Sequence, residues 1–419
     1  MFSISIEKIN TMYTELNNDK ILLQTKKLLD KYKICDRCLG RLYRNLGPRI
    51  SNKEKGEYLR KKIKKEKTKT KNCYYCKGLL LEIEHFSNLI YNNLMKYEFE
   101  TFLIGSKIDE EIVEIENCFT ESFEFKDSES IKSEINRELG LILEPKLKKE
   151  VDFKNPNIMV IIDTQFDVIK LQIKPLYIYG RYKKFSRKIP QTKWYCKICK
   201  GRGCKKCNYE GKLYDKSVEE LISKKFIEYT DAKDEAFHGA GREDIDVRML
   251  GNGRPFILEL KAPNKRNVNL DKIKDEINKT YNDFIEISNI RFSSKGEVAR
   301  IKKTKFNKTY KVVFECGNAV NNEKLKKAVQ SLQGTTIKQK TPLRVAHRRA
   351  DMIREKHIYS CEIDSLECSI ATLILETESG TYIKELISGD DGRTSPSMSG
   401  LLDAPCKIKE LDVIKIKGE

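Results

Sequence analysis

Gly239–Leu260 reads GAGREDIDVRMLGNGRPFILEL, a glycine-punctuated stretch with an Arg-Glu-Asp-Ile-Asp centre in a chain that is otherwise rich in lysine. Glycines 239, 241, 251 and 253 open backbone conformations that other residues avoid, so a loop here approaches a substrate closely and aims a single carboxylate at it. Asp244 and Asp246 are the candidate carboxylates. Taken alone, the segment reads more simply as a hairpin whose acids satisfy turn amides. The rest of the chain has to decide between the two.

Working outward, 419 residues at 39% hydrophobic content are enough for two or three domains, each with its own core. Eighty-one Lys and Arg against 62 Asp and Glu leave a net charge of +19, which favours a polyanionic partner through steering and counterion release. Nucleic acid leads that class, and an anionic membrane surface competes with it. The abundance of Ile, Asn and Lys also points to a compositional bias that raises the lysine count by itself. Met159–Ile162 is a typical apolar run and is far too short to cross a bilayer, and no stretch has the form of a signal peptide. These features predict a soluble cytoplasmic protein without a membrane partner.

Of the thirteen cysteines, eight fall into CxxC pairs: Cys35 and Cys38, Cys73 and Cys76, Cys196 and Cys199, Cys204 and Cys207. Two such pairs place four thiolates around one ion, and in a reducing compartment zinc explains them better than disulfides. The last four lie in WYCKICKGRGCKKCNYEGK (194–212), the form of a zinc-bound hairpin; a closed structural site fits better than a catalytic zinc, which keeps a coordination position open. Two redox dithiols are the alternative. The scattered Cys118, Cys316, Cys361, Cys368 and Cys406 read as small core residues.

The apolar spacing predicts a helix over 17–32, a basic helical stretch between the first two cysteine pairs, and a helix around 89–97. A strand near 101–108 follows, then a helix from Ser128 to Leu139 closed by Gly140, and two β-rich runs at 157–163 and 167–175. Pro190 marks a boundary, which gives an accessory domain at 1–190 and a catalytic domain at 191–419 opening with the four-cysteine hairpin at about 194–212. Beyond it, SVEE (217–220) is a capping box for a helix to about Tyr229. Leu270, Ile273 and Ile277, then Leu325, Val329 and Leu332, mark two helical faces, and 370–376 reads as a buried strand. Mixed elements with long-range returns and no fixed repeat give an α+β class.

Three segments carry the chemistry: GREDIDV (241–247), NKTYKVVFECG (307–317) and ESGTYIKEL (378–386). Together they resemble the pseudouridine synthases, which carry an aspartate in a GR-x-D loop, a tyrosine in a K-x-Y strand and a G-T-Y-[IV]-[RK] segment in this order. On that resemblance Asp244 is the catalytic aspartate, Tyr310 packs on the target base, and Tyr382 and Lys384 belong to the third segment. Lys384 stands where TruB-type relatives usually have arginine, keeping the charge but losing the planar fork. The longer phrases FHGAGREDIDVRMLGNGRPFILEL (237–260), TPLRVAHRRADMIREK (341–356) and ETESGTYIKELISGDDGRTSPSMSGLL (376–402) resemble the Pus-ten family of archaeal and eukaryotic tRNA pseudouridine synthases. So do the amino-terminal CxxC pairs and GRYKKFSRKIPQTKW (180–194), which are similar to that family's zinc-containing accessory part with its THUMP domain. The resemblance spans nearly the whole chain. It implies a mixed-sheet pseudouridine synthase domain beside a zinc-containing THUMP-type RNA-binding domain, and as substrate the T-loop of tRNA, at uridine 55 and in archaea also 54.

The chemistry agrees with that expectation. Converting uridine to its C-glycoside breaks the bond from N1 to ribose, turns the base, and joins C5 to the sugar, with neither an energy source nor a redox cofactor. A carboxylate serves as nucleophile, or takes a ribose proton to give a glycal, provided a cation such as Arg242 or Lys384 holds it ionised. Tyr310 would stack on uracil flipped out of the loop. Asp246 faces the same way as Asp244 in an extended loop and is a supporting acid. His347, Arg348 and Arg349, in the basic window 344–356, are candidates to grip RNA. For each tyrosine alone a core role is the simpler reading, as a solvated face is for a charge run such as 61–71. The expected enzyme is a monomer with structural zinc and no small-molecule cofactor. Two other classes stand beside it: a non-catalytic zinc protein that binds tRNA, and a metal-dependent nuclease using Asp244 and Asp246, which would need more carboxylates.

Overall fold

A computed structural model describes residues 13–46, 50–123, 125, 128–348 and 350–418. The chain forms two compact units, Met1–Lys174 and Pro175–Glu419. The boundary therefore falls before the expected 190/191. Leu176–Lys184, assigned from sequence to the accessory part, pairs antiparallel with both Arg248–Lys261 and Ile285–Ser293, so its backbone hydrogen bonds commit it to the second unit. A proline at 190 marks a turn inside that unit.

In the first unit a four-stranded mixed sheet runs in the order Glu150–Val151, Thr101–Lys107, Ile158–Asp163, Val168–Ile173, with the last two forming the expected antiparallel hairpin. Helices Ile83–Leu94 and Ile131–Leu147 accompany it. The second of these does not stop at Gly140 as the sequence suggested. Ile131, Ile135, Leu139 and Leu143 recur every four residues and are fully buried, so the apolar face carries the helix past the glycine until Lys148 adopts φ 55°. Asp19–Lys31, capped by Asn18, matches the first expected helix closely.

The basic stretch between the first cysteine pairs holds two short helices, Asp36–Arg41 and Asn52–Lys62. They meet backbone to backbone: a Cβ on Gly40 would lie 1.7 Å from the Asn52 carbonyl oxygen and one on Gly56 would lie 1.8 Å from that of Asp36. Arg41 is buried beneath them, 4.0 Å from the centre of the Tyr75 ring and 2.6 Å from Glu116.

The second unit is built on a ten-stranded sheet in the order Thr394–Ser395, Thr336–Lys340, Ile353–Glu367, Ile370–Thr377, Lys308–Cys316, Cys406–Ile416, Arg248–Lys261, Leu176–Lys184, Ile285–Ser293, with Asp234–Gly239 also paired to Arg248–Lys261. Helices Val218–Thr230, Leu270–Thr280 and Asn322–Leu332 lie where the periodicity placed them, and Ser217 accepts a hydrogen bond from the Glu220 N–H as the capping signal required. The long strand Arg248–Lys261 corrects one expectation. Gly251 (φ 57°) and Gly253 (φ 70°) are not part of a substrate loop; they form a bulge inside the strand, across which the register to the neighbouring strand jumps from Tyr182↔Arg254 to Lys184↔Met249. A Cβ on Gly251 would meet the Ile414 carbonyl oxygen at 1.7 Å, so close strand approach selects glycine there. The loop proper is Ala240–Val247.

Among the scattered cysteines, Cys316, Cys361 and Cys406 are buried as expected, but Cys118 and Cys368 are exposed. Among the described residues no helix is long and apolar enough to cross a membrane.

Candidate active site

The loop between Asp234–Gly239 and Arg248–Lys261 is held from behind by its middle acid. Glu243, 5% exposed, forms an ion pair with the buried Arg254 at 2.8 Å and accepts from the Tyr182 hydroxyl at 2.9 Å. The Gln191 amide nitrogen donates to that hydroxyl (2.7 Å) and to the Gly241 carbonyl (3.0 Å), and Arg254 donates to the Ala240 carbonyl (2.8 Å). Gly241 has φ 82°, and a Cβ there would lie 3.1 Å from the Arg254 guanidinium. On the other side of the loop the buried Lys184 ammonium donates to the carbonyls of Ile189, Asp244 and Ile245 at 3.1, 3.2 and 2.8 Å. Burial pushes Lys184 down to about 8 and raises the Tyr182 hydroxyl above its ordinary value, where the Glu243 charge reinforces the shift.

With the backbone fixed, Asp244 and Asp246 reach the surface together. Asp244 Oδ2 lies 2.9 Å from Arg344 Nη1 and 3.5 Å from Lys384 Nζ. Lys384 bonds both oxygens of Asp246, at 2.8 and 2.7 Å. Burial works against the Asp246 carboxylate, but the Lys384 hydrogen bond and charge prevail and hold it below the usual range. Arg344 is itself oriented by a fork onto Glu385, with Nε to Oε1 at 2.7 Å and Nη2 to Oε2 at 3.4 Å, and Glu385 is 4% exposed. Lys384 and Glu385 are consecutive residues of the helix Ile383–Ser388, so one turn supplies both the ammonium and the carboxylate that aims the guanidinium. Asp244 Oδ1 has no hydrogen bond among the described residues.

The cation nearest Asp244 is therefore neither of the two expected. Lys384 is second to Arg344, and Arg242 turns away, its guanidinium 5.1 Å over the Trp194 ring. Arg344 lay inside the basic window marked for RNA contact; sequence shows its charge and not its partner. Tyr310 occupies the strand Lys308–Cys316 between Leu375 and Val413 and is 9% exposed, so little of it is open to solvent. Burial pushes its hydroxyl up to about 12, with the Arg254 charge opposing. The same arginine thus faces both Glu243 and Tyr310. Half-buried Tyr382 precedes the helix, and its backbone N–H and carbonyl are both bonded by the Gln339 side-chain amide at 2.9 Å. The His347 and Arg348 backbone lies in the short turn Leu343–Arg348, and Arg349 is outside the described residues.

Both cysteine sets converge. The sulfurs of Cys35, Cys38, Cys73 and Cys76 lie within 4.8 Å of one another, as do those of Cys196, Cys199, Cys204 and Cys207. In the second set, three sulfur separations are 3.7 to 3.9 Å. Tetrahedral zinc–thiolate bonds of about 2.3 Å require edges of about 3.8 Å. The N–H groups of Gly203 and Gly211 point at the Cys199 and Cys207 sulfurs at 3.2 Å, the donors a thiolate needs.

A family model described as Pus10, C-terminal matches residues 177–417. The chain belongs to the Pus10 family. A second model, Pus10 THUMP domain, archaeal, matches residues 86–163, which take in three strands of the first unit's sheet. The curated Pus10 of Methanocaldococcus jannaschii, named tRNA pseudouridine synthase Pus10, is 43% identical over 93% of both chains. Its namesake in Methanothrix thermoacetophila is 37% identical over 92% of both. A solved Cbf5–Nop10–Gar1 complex, at TM-score 0.31 and 15% identity over 57% of this chain and 48% of that one, is too distant to inform the site. As a Pus10 protein the chain is a pseudouridine synthase, an isomerase.

Glu243→Ala should lower the unfolding free energy by about 3–5 kcal/mol in urea titrations, because Arg254 is left charged and buried, whereas Asp246→Ala at the exposed end of the same loop should change it by less than about 1 kcal/mol.

Proposed function

We propose that this Pus10 protein isomerises uridine to pseudouridine in the T-loop of tRNA, at position 55 and also at 54, with Asp244 as the catalytic carboxylate. The observation that carries the reading is the pairing of two fixed cations with one oxygen of a surface aspartate on a rigid loop. Arg344 and Lys384 hold Oδ2 of Asp244, and Oδ1, without a hydrogen bond among the described residues, is left to act. It attacks the sugar or the base, a bond released again later, or takes a ribose proton to begin glycal formation and returns it; the bond from N1 to C1′ breaks, the uracil turns, C5 joins C1′, C5 gives up its proton and N1 takes one up, leaving an isomer. The base leaves its stack to reach the site. Tyr310 and Tyr382 meet the flipped uracil and its ribose, and Lys384 also keeps Asp246 from competing for the substrate's polar groups.

Arg242, stacked on Trp194, and the 347–349 segment hold phosphates flanking the target. The THUMP-containing unit binds another part of the same tRNA. The enzyme works as a cytoplasmic monomer, and each four-cysteine cluster takes one structural zinc; the reaction itself, with no net redox change, needs none.

Asp244→Asn should bind tRNA as tightly as the wild type yet form no pseudouridine when the product is mapped by mass spectrometry; turnover retained in this variant would remove Asp244 from its role. Arg344→Ala and Glu385→Gln should each lower the single-turnover rate about 100-fold, since a carboxylate displaced by an ångström loses that much. Metal analysis should give two zinc ions per chain, and a strong chelator should abolish the cooperative unfolding of the amino-terminal unit.

A further inference from the structure

The four-cysteine hairpin of the second unit displays large apolar side chains outward. Tyr195, Ile198 and Tyr209 are 61%, 60% and 69% exposed. Lys197, Lys200, Arg202, Lys205 and Lys206 are exposed among them, with Glu210 the single acid between Tyr195 and Leu213. Among the described residues none of these five cations pairs with a carboxylate. Elsewhere in the unit some lysines are paired, such as Lys261 with Asp234 at 2.7 Å, Lys311 with Asp364 at 2.9 Å and Lys409 with Glu315 at 2.6 Å, while others, such as Lys224, Lys265 and Lys324, have no carboxylate partner among the described residues; what marks the hairpin is the density of such cations between exposed aromatic side chains. Lys212, at the base of the hairpin, is bonded to Glu220 at 2.9 Å. Within the hairpin, the cations without a carboxylate partner among the described residues lie on its outer part.

Both tyrosines are held in place before any partner arrives. The Tyr195 ring lies over Gly201, where an added Cβ would be 3.0 Å from Cδ1, and Tyr195 bridges to Lys212. Tyr209 adopts φ 64°, a conformation a bulky residue avoids unless its surroundings impose it, and its N–H is bonded to the Cys204 carbonyl at 2.9 Å. The hairpin is also fastened to the catalytic loop. The Leu213 N–H donates to the Trp194 carbonyl at 2.8 Å, the Trp194 and Tyr214 rings meet edge to face at 5.5 Å, and Arg242, two residues before Asp244, covers Trp194.

We propose that the hairpin 195–213 is an RNA-contact element that grips the tRNA next to the target nucleotide, with Tyr195 and Tyr209 stacking on unpaired bases and the five cations holding the adjoining phosphates. Aromatic faces interleaved with unpaired cations suit unstacked nucleic acid, whose every base offers a π-face and whose every link offers an anion. A lipid surface would instead be met by a continuous apolar face. The inference rests on the reading of this chain as a tRNA enzyme.

The test uses full-length, zinc-loaded protein with Tyr195→Ala/Tyr209→Ala in one variant and Lys205→Glu/Lys206→Glu in another. The tyrosine pair should weaken the Kd for a tRNA transcript about tenfold or more, with kcat at saturating tRNA close to the wild type. The lysine pair should reduce the slope of log Kd against log salt by about 1 or more. Two bound metal ions in each variant exclude a collapsed hairpin; should the tyrosine pair shed metal, the lysine pair decides. Unchanged Kd and salt slope overturn the proposal, as does loss of binding to anionic phosphatidylserine vesicles with tRNA affinity intact. A wild-type protein that forms no pseudouridine while these variants still weaken tRNA binding would sink the catalytic reading and leave this one standing.

Discussion

The buried ion pair between Glu243 and Arg254 is the constraint on which the site depends. A charge placed in a protein interior is tolerated only with a partner and with its remaining hydrogen-bonding capacity filled. Here Tyr182 bonds the carboxylate and the Ala240 carbonyl takes the guanidinium, so the pair fastens the start and the middle of one loop to two strands of the sheet. Glu243 is fixed inward while Asp244 and Asp246, around the turn closed by the Val247 N–H on the Asp244 carbonyl at 3.1 Å, lie at the surface. The carboxylate proposed for the chemistry is placed by a neighbour that takes no part in it.

A second charge system faces the first across the site. Glu385, buried on a short helix, fixes Arg344; Arg344 and Lys384 then meet Asp244 and Asp246. The alternation of buried and exposed charge along Lys384–Glu385 mirrors that along Glu243–Asp244. Each side of the site thus has an anchoring ion held out of water and an outer ion held in reach of it. Low-dielectric surroundings strengthen the anchors, whereas the outer pairs are partly solvated and individually weaker.

Much of this is legible in the residues. The loop containing Asp244, the strand containing Tyr310, the 378–386 segment and both cysteine sets are marked in the sequence: clustered glycines, alternating apolar residues, a matching motif and paired CxxC spacing; that 383–388 is a helix came from the structure. The misreadings share a cause. Gly140 is a helix stop by local rule, yet the apolar face of Ile131–Leu147 overrides it; Gly251 and Gly253 read as loop residues, yet the Ile414 backbone demands them inside a strand. Pro190 reads as a domain boundary because nothing local shows that 176–184 pairs with strands far along the chain. Propensity is a property of a window, and sheet pairing is not.

Sequence alone determined the family resemblance, the α+β class, the polyanionic partner class implied by the charge, and the narrowing of the candidate carboxylate to two aspartates, Asp244 and Asp246. Tertiary structure decided which cation holds which acid. Arg242, two residues from Asp244, turns to Trp194, whereas Arg344, a hundred residues away, reaches it at 2.9 Å because buried Glu385 aims it there. An ion pair is set by distance and desolvation in space, and neither is written in the order of residues along the chain.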